Sequence, residues 1–215
     1  VYGFPGQTQE YVSSMQLDQV VNITDPIRIE ARTKKLGVWT DFMRQDRKVF
    51  LQYTSKRAGV ANGWKKWQGE VRGLKLNNVV EKKKAFEQEF QAWANASPDA
   101  PAFAKDLLFK MQVSSSSRDA IIATNEYIRE AVFGVELIAQ GSELDKMLKL
   151  FDANLSPEKT QDSLKKLIKN TEGFYKNFDA KTDKAVFTVL MPLFMDKAKQ
   201  YVPDYYRSEL ARLGN

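Results

Sequence analysis

The stretch from Gln52 to Gly69 reads QYTSKRAGVANGWKKWQG and predicts the middle of one amphipathic helix. Apolar residues recur in and around it at steps of three, four and seven, which form a helical stripe: Phe50, Tyr53, Val60, Trp64, Trp67 and Val71. The side roughly opposite carries small residues and one amide: Ser55, Ala58, Gly59, Asn62 and Gly63. Glycine inside a helix costs about 1 kcal/mol relative to alanine. A chain that keeps such residues usually needs close approach to the backbone, by a partner helix or by a ligand.

The composition is that of a globular protein with a real core. The chain has 215 residues, of which 43% are hydrophobic and 28% are charged. That length supports one domain or two. The longest apolar run, Val186 to Met195, contains Pro192 and is too short to span a bilayer. We therefore expect no membrane segment here.

Two residue types are missing, and their absence narrows the chemistry. The sequence has no cysteine and no histidine. It can supply neither a thiolate nucleophile nor a disulfide, and it lacks the usual general base and the usual transition-metal ligand. Catalysis by lysine or carboxylate side chains remains possible, but a histidine-dependent triad is excluded within this sequence. We expect no catalytic residues, no metal site and no cofactor in this chain.

The positive charge is unevenly distributed. The segment 28–84 holds 16 Lys and Arg against 5 Asp and Glu, whereas the rest of the chain is net acidic. Such asymmetry is typical either of solvated helix faces or of a field that orients nucleic acid, acidic peptides or a docking partner.

The first six residues differ from everything after them. Val1 to Gly6 reads VYGFPG, which predicts the end of a strand and a turn. With nothing before it to pair with, this strand indicates a chain cut from a larger protein.

From Thr8 onward every signal is helical, and short connections predict an all-α multi-helix bundle. Caps, prolines and the interruption at Ala94 to Pro101 place the boundaries. The predicted helices run from Thr8 to about Val21, from Asp25-Pro26 to Arg44, from Asp46 to about Gly69 or Gly73, from Asn77 or Asn78 to the interruption, from about Pro98 or Pro101 to the serine run 114–117, from Asp119 to Ala139, from Ser142 to Phe151, from Ser156-Pro157 to about Phe178, from Thr182 or Asp183 onward with a kink at Pro192, and from Val202-Pro203 to Gly214.

Carboxylates at helical spacing, such as Glu126 and Glu130, lack the histidine that a helix-borne metal site would need beside them. We interpret them as members of exposed faces. The sequence also contains no Gly-x-Ser-x-Gly elbow and no phosphate-binding glycine-rich loop.

Three segments resemble one enzyme family: VYGFPGQTQEY at 1–11, YTSKRAGVANGWKKWQGE at 53–70 and EKKKAFEQEFQAW at 81–93. They are similar to the bacterial dipeptidyl-peptidases VII and XI, serine exopeptidases that release dipeptides from peptide N-termini. The family inserts a large α-helical domain, which covers the active-site cleft, into a chymotrypsin-like double β-barrel. The likeness is most specific in the first 95 residues.

The resemblance implies a domain division and a location. Residues 1–7 would end the catalytic domain, and residues 8–215 would form the helical cap. The family's catalytic His and Asp precede this region and its Ser follows it, so the chain alone would be inactive although the parent is an enzyme. The implied partners are a peptide with a free N-terminus and the β-barrel of the same chain, without nucleic acid, in the periplasm or at the cell surface. The resemblance leaves the oligomeric state of the parent open, with a homodimer as one arrangement.

One functional residue of the family falls within the chain. An asparagine of the helical domain helps to bind the substrate's α-amino group, and its place in the A-N-x-W-K-K segment is similar to Asn62. An amide oxygen can accept a bond from an ammonium group, and Gly59 and Gly63 would leave room for the peptide end. Lys65 and Lys66 are interpreted as solvated or docking charges. The alternative is a free-standing all-α interaction module whose basic face binds nucleic acid or an acidic protein.

Overall fold

The computed structural model describes residues 11–151 and 156–197, and every regular element in these ranges is a helix. The helices are α1 (Ser14–Gln19), α2 (Asp25–Gln45), α3 (Arg47–Leu76), α4 (Val79–Ala96), α5 (Ala104–Ser116), α6 (Asp119–Tyr127), α7 (Glu136–Phe151), α8 (Pro157–Lys176) and α9 (Ala180–Lys197), with π-helical turns at Val20–Thr24 and Ile128–Val132. The all-α prediction is confirmed. The strand remnant in 1–7, the Thr8 cap and the last predicted helix lie outside the described residues.

The helices group into two compact units rather than one bundle. Among the described residues, the first unit takes 11–26 and 68–122, and the second takes 27–67, 123–151 and 156–197. In the first unit α1, α4 and α5 pack together. The Ser14 backbone N–H and hydroxyl donate to the Glu87 carboxylate at 2.8 and 2.5 Å, which joins α1 to α4.

The second unit contains most of the described core. Its largest fully buried side chains include Trp39, Tyr53, Val186 and Leu190. The ring centroids of Trp39 and Tyr53 lie 5.2 Å apart in an edge-to-face arrangement, which favours this aromatic pair beyond its burial alone. This contact joins α2 to the first half of α3.

Helix ends determined by local capping agree with the prediction. The Asp46 carboxylate accepts from the backbone N–H of Lys48 at 2.6 Å and so caps α3, which continues past Gly73 to Leu76. Ser156 caps α8 directly before its proline. Asn78 precedes α4 with φ of 50°, a left-handed conformation that asparagine tolerates better than most residues.

The predicted helix start at Asp25-Pro26 coincides with the first residue of α2, but the chain is already helical before it. The chain continues from α1 into α2 through the π-helical turn, in which the Asp25 N–H donates to the carbonyl of Val20, five residues earlier. Pro26 has no N–H to donate, and a proline at such a position would ordinarily end a helix. Here the helix continues past it, directly after the widened π-helical turn.

The predicted helix from Asp119 to Ala139 begins where predicted but is too long, because it breaks at residues 133–135. A Cβ at Gly134 would lie 2.1 Å from the Glu130 carbonyl oxygen and 2.8 Å from Leu190 Cδ1, so glycine is required at this crowded corner. The next helix begins at Glu136 rather than at Ser142. Its cap comes from α9, since the two Asp183 carboxylate oxygens accept from the N–H groups of Glu136 and Leu137 at 2.7 and 3.0 Å.

The start of α9 is earlier than predicted, at Ala180. The Asp179 carboxylate accepts from both the N–H and the hydroxyl of Thr182, at 2.8 and 2.7 Å. Partial burial raises the pKa of Asp179, but these two bonds outweigh that effect and lower it below its usual value. The helix continues through Pro192 to Lys197. In the part of the chain that the structure describes, no helix is both long and apolar enough to cross a membrane.

Candidate functional site

Asn62 lies in the middle of α3 with its side chain exposed. Within the described ranges, no hydrogen bond joins its amide to another residue, so both the oxygen and the NH₂ group are available to a ligand. Lys65 and Lys66, which follow one turn later, are exposed as predicted.

Among the described residues, no helix covers the small residues that precede Asn62 on this strip. Ser55, Ala58 and Gly59 are all exposed, and a Cβ at Gly59 would have no described atom within 4 Å outside its own surroundings. The partner-helix interpretation of this part of the strip therefore finds no support within the described residues. Nothing within residues 11–151 and 156–197 covers the surface beside Asn62 on the Gly59 side.

Gly63 has a different explanation from Gly59. A Cβ at this position would lie 2.5 Å from Arg32 Nη1, because the guanidinium group of α2 lies directly against the α3 backbone. That nitrogen also donates to the carbonyl oxygen of Val60 at 3.3 Å. The space that the sequence suggested for a peptide end at Gly63 is thus occupied by Arg32, and only Gly59 remains open.

Arg32 is held on two further sides. Its Nε and Nη2 donate to the two carboxylate oxygens of Glu130 at 2.7 and 2.9 Å, a bidentate pair. Its guanidinium carbon lies 4.2 Å from the ring centroid of Trp67, within cation–π distance. The turn of α3 that carries Asn62 is therefore tied to α2 and, through Glu130, to the π-helical turn at Ile128–Val132.

The interpretation of Glu126 and Glu130 as exposed residues is wrong. Their exposed fractions are only 7% and 8%. Arg28 pairs with Glu126 at 2.6 and 2.7 Å in the same bidentate manner as Arg32 with Glu130. The two arginines are four residues apart on α2, and the two glutamates are four residues apart on the segment that faces it, so the two pairs form successive rungs between adjacent helices. That matched spacing was the available signal, but sequence alone could not show that the helices were neighbours.

A second polar cluster surrounds Glu136, at the start of α7. The Glu136 carboxylate accepts from the hydroxyl of Tyr53 at 2.8 Å and from Lys56 Nζ at 2.8 and 3.0 Å. Burial raises the pKa of Tyr53 above its usual value, and the charge and hydrogen bond of Glu136 raise it further. The cluster keeps the Tyr53 hydroxyl protonated and anchors the first half of α3.

Lys35 extends this buried polar layer. Its Nζ donates to the Gly134 carbonyl oxygen at 2.6 Å and lies 4.5 Å from the ring centroid of Trp39. Burial lowers the pKa of this ammonium group, an effect that the nearby carboxylates of Glu136 and Glu130 oppose. Its bond to the carbonyl gives Lys35 a structural role at the corner between the π-helical turn and α7.

Ion pairs neutralise some of the cationic side chains of the basic segment 28–84. Arg28, Arg32 and Lys56 all pair with carboxylates from the acidic half of the chain. The charge asymmetry therefore partly serves internal pairing in the second unit.

The side chain of Asn62 offers hydrogen-bonding groups to a ligand. Among residues 11–151 and 156–197, no group of three or more acidic side chains could hold a metal ion. Asn62 provides an exposed acceptor and donor pair on a helix that is rigidly tied to its neighbours. A hydrogen-bonding group of a ligand, such as an ammonium, can be bound there without any covalent step.

The two glycines give a matched stability test. We expect Gly59→Ala to raise the free energy of unfolding by about 0.5–1 kcal/mol, because alanine is the better helix former and the site is open. Gly63→Ala should instead lower it by roughly 1–3 kcal/mol, since the new methyl group displaces an Arg32 guanidinium that Glu130 and Trp67 hold in place. Urea unfolding followed by circular dichroism measures both. Equal stabilisation by the two changes would contradict the close approach of Arg32.

Comparison with known proteins identifies the class to which this helical chain belongs. The family model described as Peptidase S46 matches residues 1–211. The chain belongs to this peptidase family.

Its relatives include dipeptidyl-peptidases of two named specificities. The chain is 37% identical over 205 residues to an Asp/Glu-specific dipeptidyl-peptidase of Flavobacterium psychrophilum, covering 94% of the chain and 28% of that protein. It is 29% identical to a dipeptidyl-peptidase 7 of Porphyromonas endodontalis, covering 95% of the chain and 24% of that protein. The chain thus spans about a quarter of the length of these curated relatives.

A solved structure shares the fold. The crystal structure of Porphyromonas endodontalis DPP11 in complex with the dipeptide Arg-Glu matches with a TM-score of 0.68 at 22% identity. The match covers 94% of this chain and 28% of that one. At this level of identity the likeness concerns the fold alone.

Proposed function

We propose that this chain is the helical cap domain of a serine dipeptidyl-peptidase that removes dipeptides from peptide N-termini. Residues 8–215 form the cap, and residues 1–7 end the chymotrypsin-like catalytic domain. Support comes from the family membership, from relatives named dipeptidyl-peptidases and from the share of their length that the chain spans. The absence of histidine from the sequence agrees with a triad supplied by the rest of the parent.

Within the cap, Asn62 binds the α-amino group of the substrate. Its amide oxygen accepts a hydrogen bond from the ammonium, which distinguishes a peptide end from an internal segment. The observation that carries this proposal is the exposed Asn62 amide, without a partner among the described residues, on a turn that Arg32 holds in place.

The partners follow from the same proposal. They are a peptide with a free N-terminus and the β-barrel domain of the same chain, and neither a cofactor nor nucleic acid takes part. The parent works in the periplasm or at the cell surface.

The isolated chain should have no peptidase activity, whereas the full-length parent should release dipeptides. Binding groups alone do not replace a nucleophile and its general base. Both proteins should be assayed on dipeptidyl substrates with free N-termini, with a serine-directed inhibitor as the active-site label. Turnover by the isolated chain that survives repurification, or inhibitor labelling of it, would contradict the cap assignment. Failure of the parent to cleave any free-amine dipeptidyl substrate would contradict the activity itself.

A further inference from the structure

An exposed helix residue can orient a ligand only if the turn that carries it is fixed. The α3 turn around Asn62 is fixed from one side by Arg32, which bonds the carbonyl oxygen of Val60, two residues before Asn62. The same guanidinium lies against Gly63, the next residue after Asn62. One side chain thus contacts the backbone on both sides of the proposed binding residue.

The guanidinium has little freedom of its own. Glu130 accepts from two of its nitrogens, and the Trp67 ring lies against its face. The exposed fractions of the Arg32 and Glu130 side chains are 23% and 8%, so this pair is largely shielded from solvent and from screening by salt. The pair is also electrically neutral overall, which avoids presenting a bare positive charge beneath a site for an ammonium group.

We infer that Arg32 is a positioning residue: with Glu130, it holds the α3 turn so that the Asn62 amide meets the substrate's α-amino group. This inference rests on the proposed function of Asn62. Lysine cannot replace Arg32, because a single ammonium lacks the planar fork that bonds Glu130 twice while it reaches Val60. Glycine at position 63 is required for the same contact, because it leaves room for the Arg32 guanidinium beside the α3 backbone.

The test uses the full-length parent with Arg32→Lys and Gly63→Ala, each made in the wild-type and the Asn62→Ala backgrounds. Gly63→Ala leaves the charges of Arg32 and Glu130 unchanged, so it still tests the positioning role if Arg32→Lys does not fold. Gly37→Ala is the matched control, since Gly37 is an exposed helical glycine on the same helix as Arg32 with open space around it. For every variant, kcat and KM on a free-amine dipeptidyl substrate are measured beside the melting temperature.

We expect Arg32→Lys and Gly63→Ala each to raise KM about three- to tenfold with kcat little changed, because they weaken a binding contact rather than the chemical step. In the Asn62→Ala background the same changes should alter KM less than twofold, since the residue through which they act is gone. Gly37→Ala should match wild type.

Two outcomes overturn the positioning role while leaving that of Asn62 intact. The first is a loss of melting temperature with unchanged KM, which is the behaviour of a merely structural pair. The second is an equal rise in KM in both backgrounds, which would mean that Arg32 acts independently of Asn62. If Asn62→Ala itself leaves KM unchanged, the proposed binding role of Asn62 fails, and the positioning role of Arg32 fails with it.

Discussion

Asn62→Ala in the full-length peptidase should lower kcat/KM on free-amine peptides about 10- to 150-fold. The change removes a hydrogen bond to a charged group, and such bonds contribute roughly 1.5–3 kcal/mol. The folded state should persist, because the Asn62 side chain is exposed and alanine is the better helix former. Steady-state kinetics and a thermal melt of the same preparation measure the two effects separately.

Asn62→Asp is the matched control for this change. It keeps an acceptor oxygen at the same position and adds a charge opposite to that of the ammonium, so we expect kcat/KM within several-fold of wild type. Residual turnover of an N-acetylated peptide, which has no ammonium, should be the same in all three proteins. Wild-type kcat/KM of Asn62→Ala on free-amine substrates would show that the residue does not bind the amine.

Trp39→Ala should destabilise the isolated chain by about 3–5 kcal/mol, which is the usual range for removing a buried tryptophan. Only 2% of Trp39 is exposed, and its ring contacts Tyr53 across the core of the second unit. The loss comprises both the transfer free energy of the indole and the cavity that remains. Urea unfolding followed by far-ultraviolet circular dichroism measures it.

Trp93→Ala serves as the control, because 48% of that tryptophan is exposed. We expect a loss clearly smaller than that of Trp39→Ala, in proportion to the smaller burial. Similar losses for the two variants would contradict the placement of Trp39 at the centre of the core. Trp39 is fully buried, while Trp64 and Trp67 on the predicted α3 stripe are half-buried.

The sequence by itself determined the helical class and the helix ends that depend on neighbouring residues. Asp46 and Ser156 cap their helices through backbone groups two or three residues away, and Asn78 takes up the left-handed conformation that precedes α4. Such contacts need no knowledge of the rest of the fold. The resemblance of short segments to a peptidase family, since confirmed by the family match, also required only the order of residues.

The candidate site was predictable only in part. The segment around Asn62 and the exposure of its lysine neighbours could be predicted, since they follow from one helix and its motif. The role of Gly63 could not, because the Arg32 guanidinium that contacts it belongs to another helix. The burial of Glu126 and Glu130 likewise depends on cations that lie 98 residues away along the chain.

Tertiary structure also decided where the helices break. The corner after the second π-helical turn depends on Leu190 packing against Gly134 and on Asp183 capping α7, both from α9. In sequence this region has an unbroken helical pattern. The structure breaks the helix nevertheless, because local propensity is a weak determinant and a remote carboxylate can satisfy the free N–H groups of a new helix start. Contacts within a few residues were thus encoded locally, whereas those that hold the Asn62 turn required distant segments to be brought together.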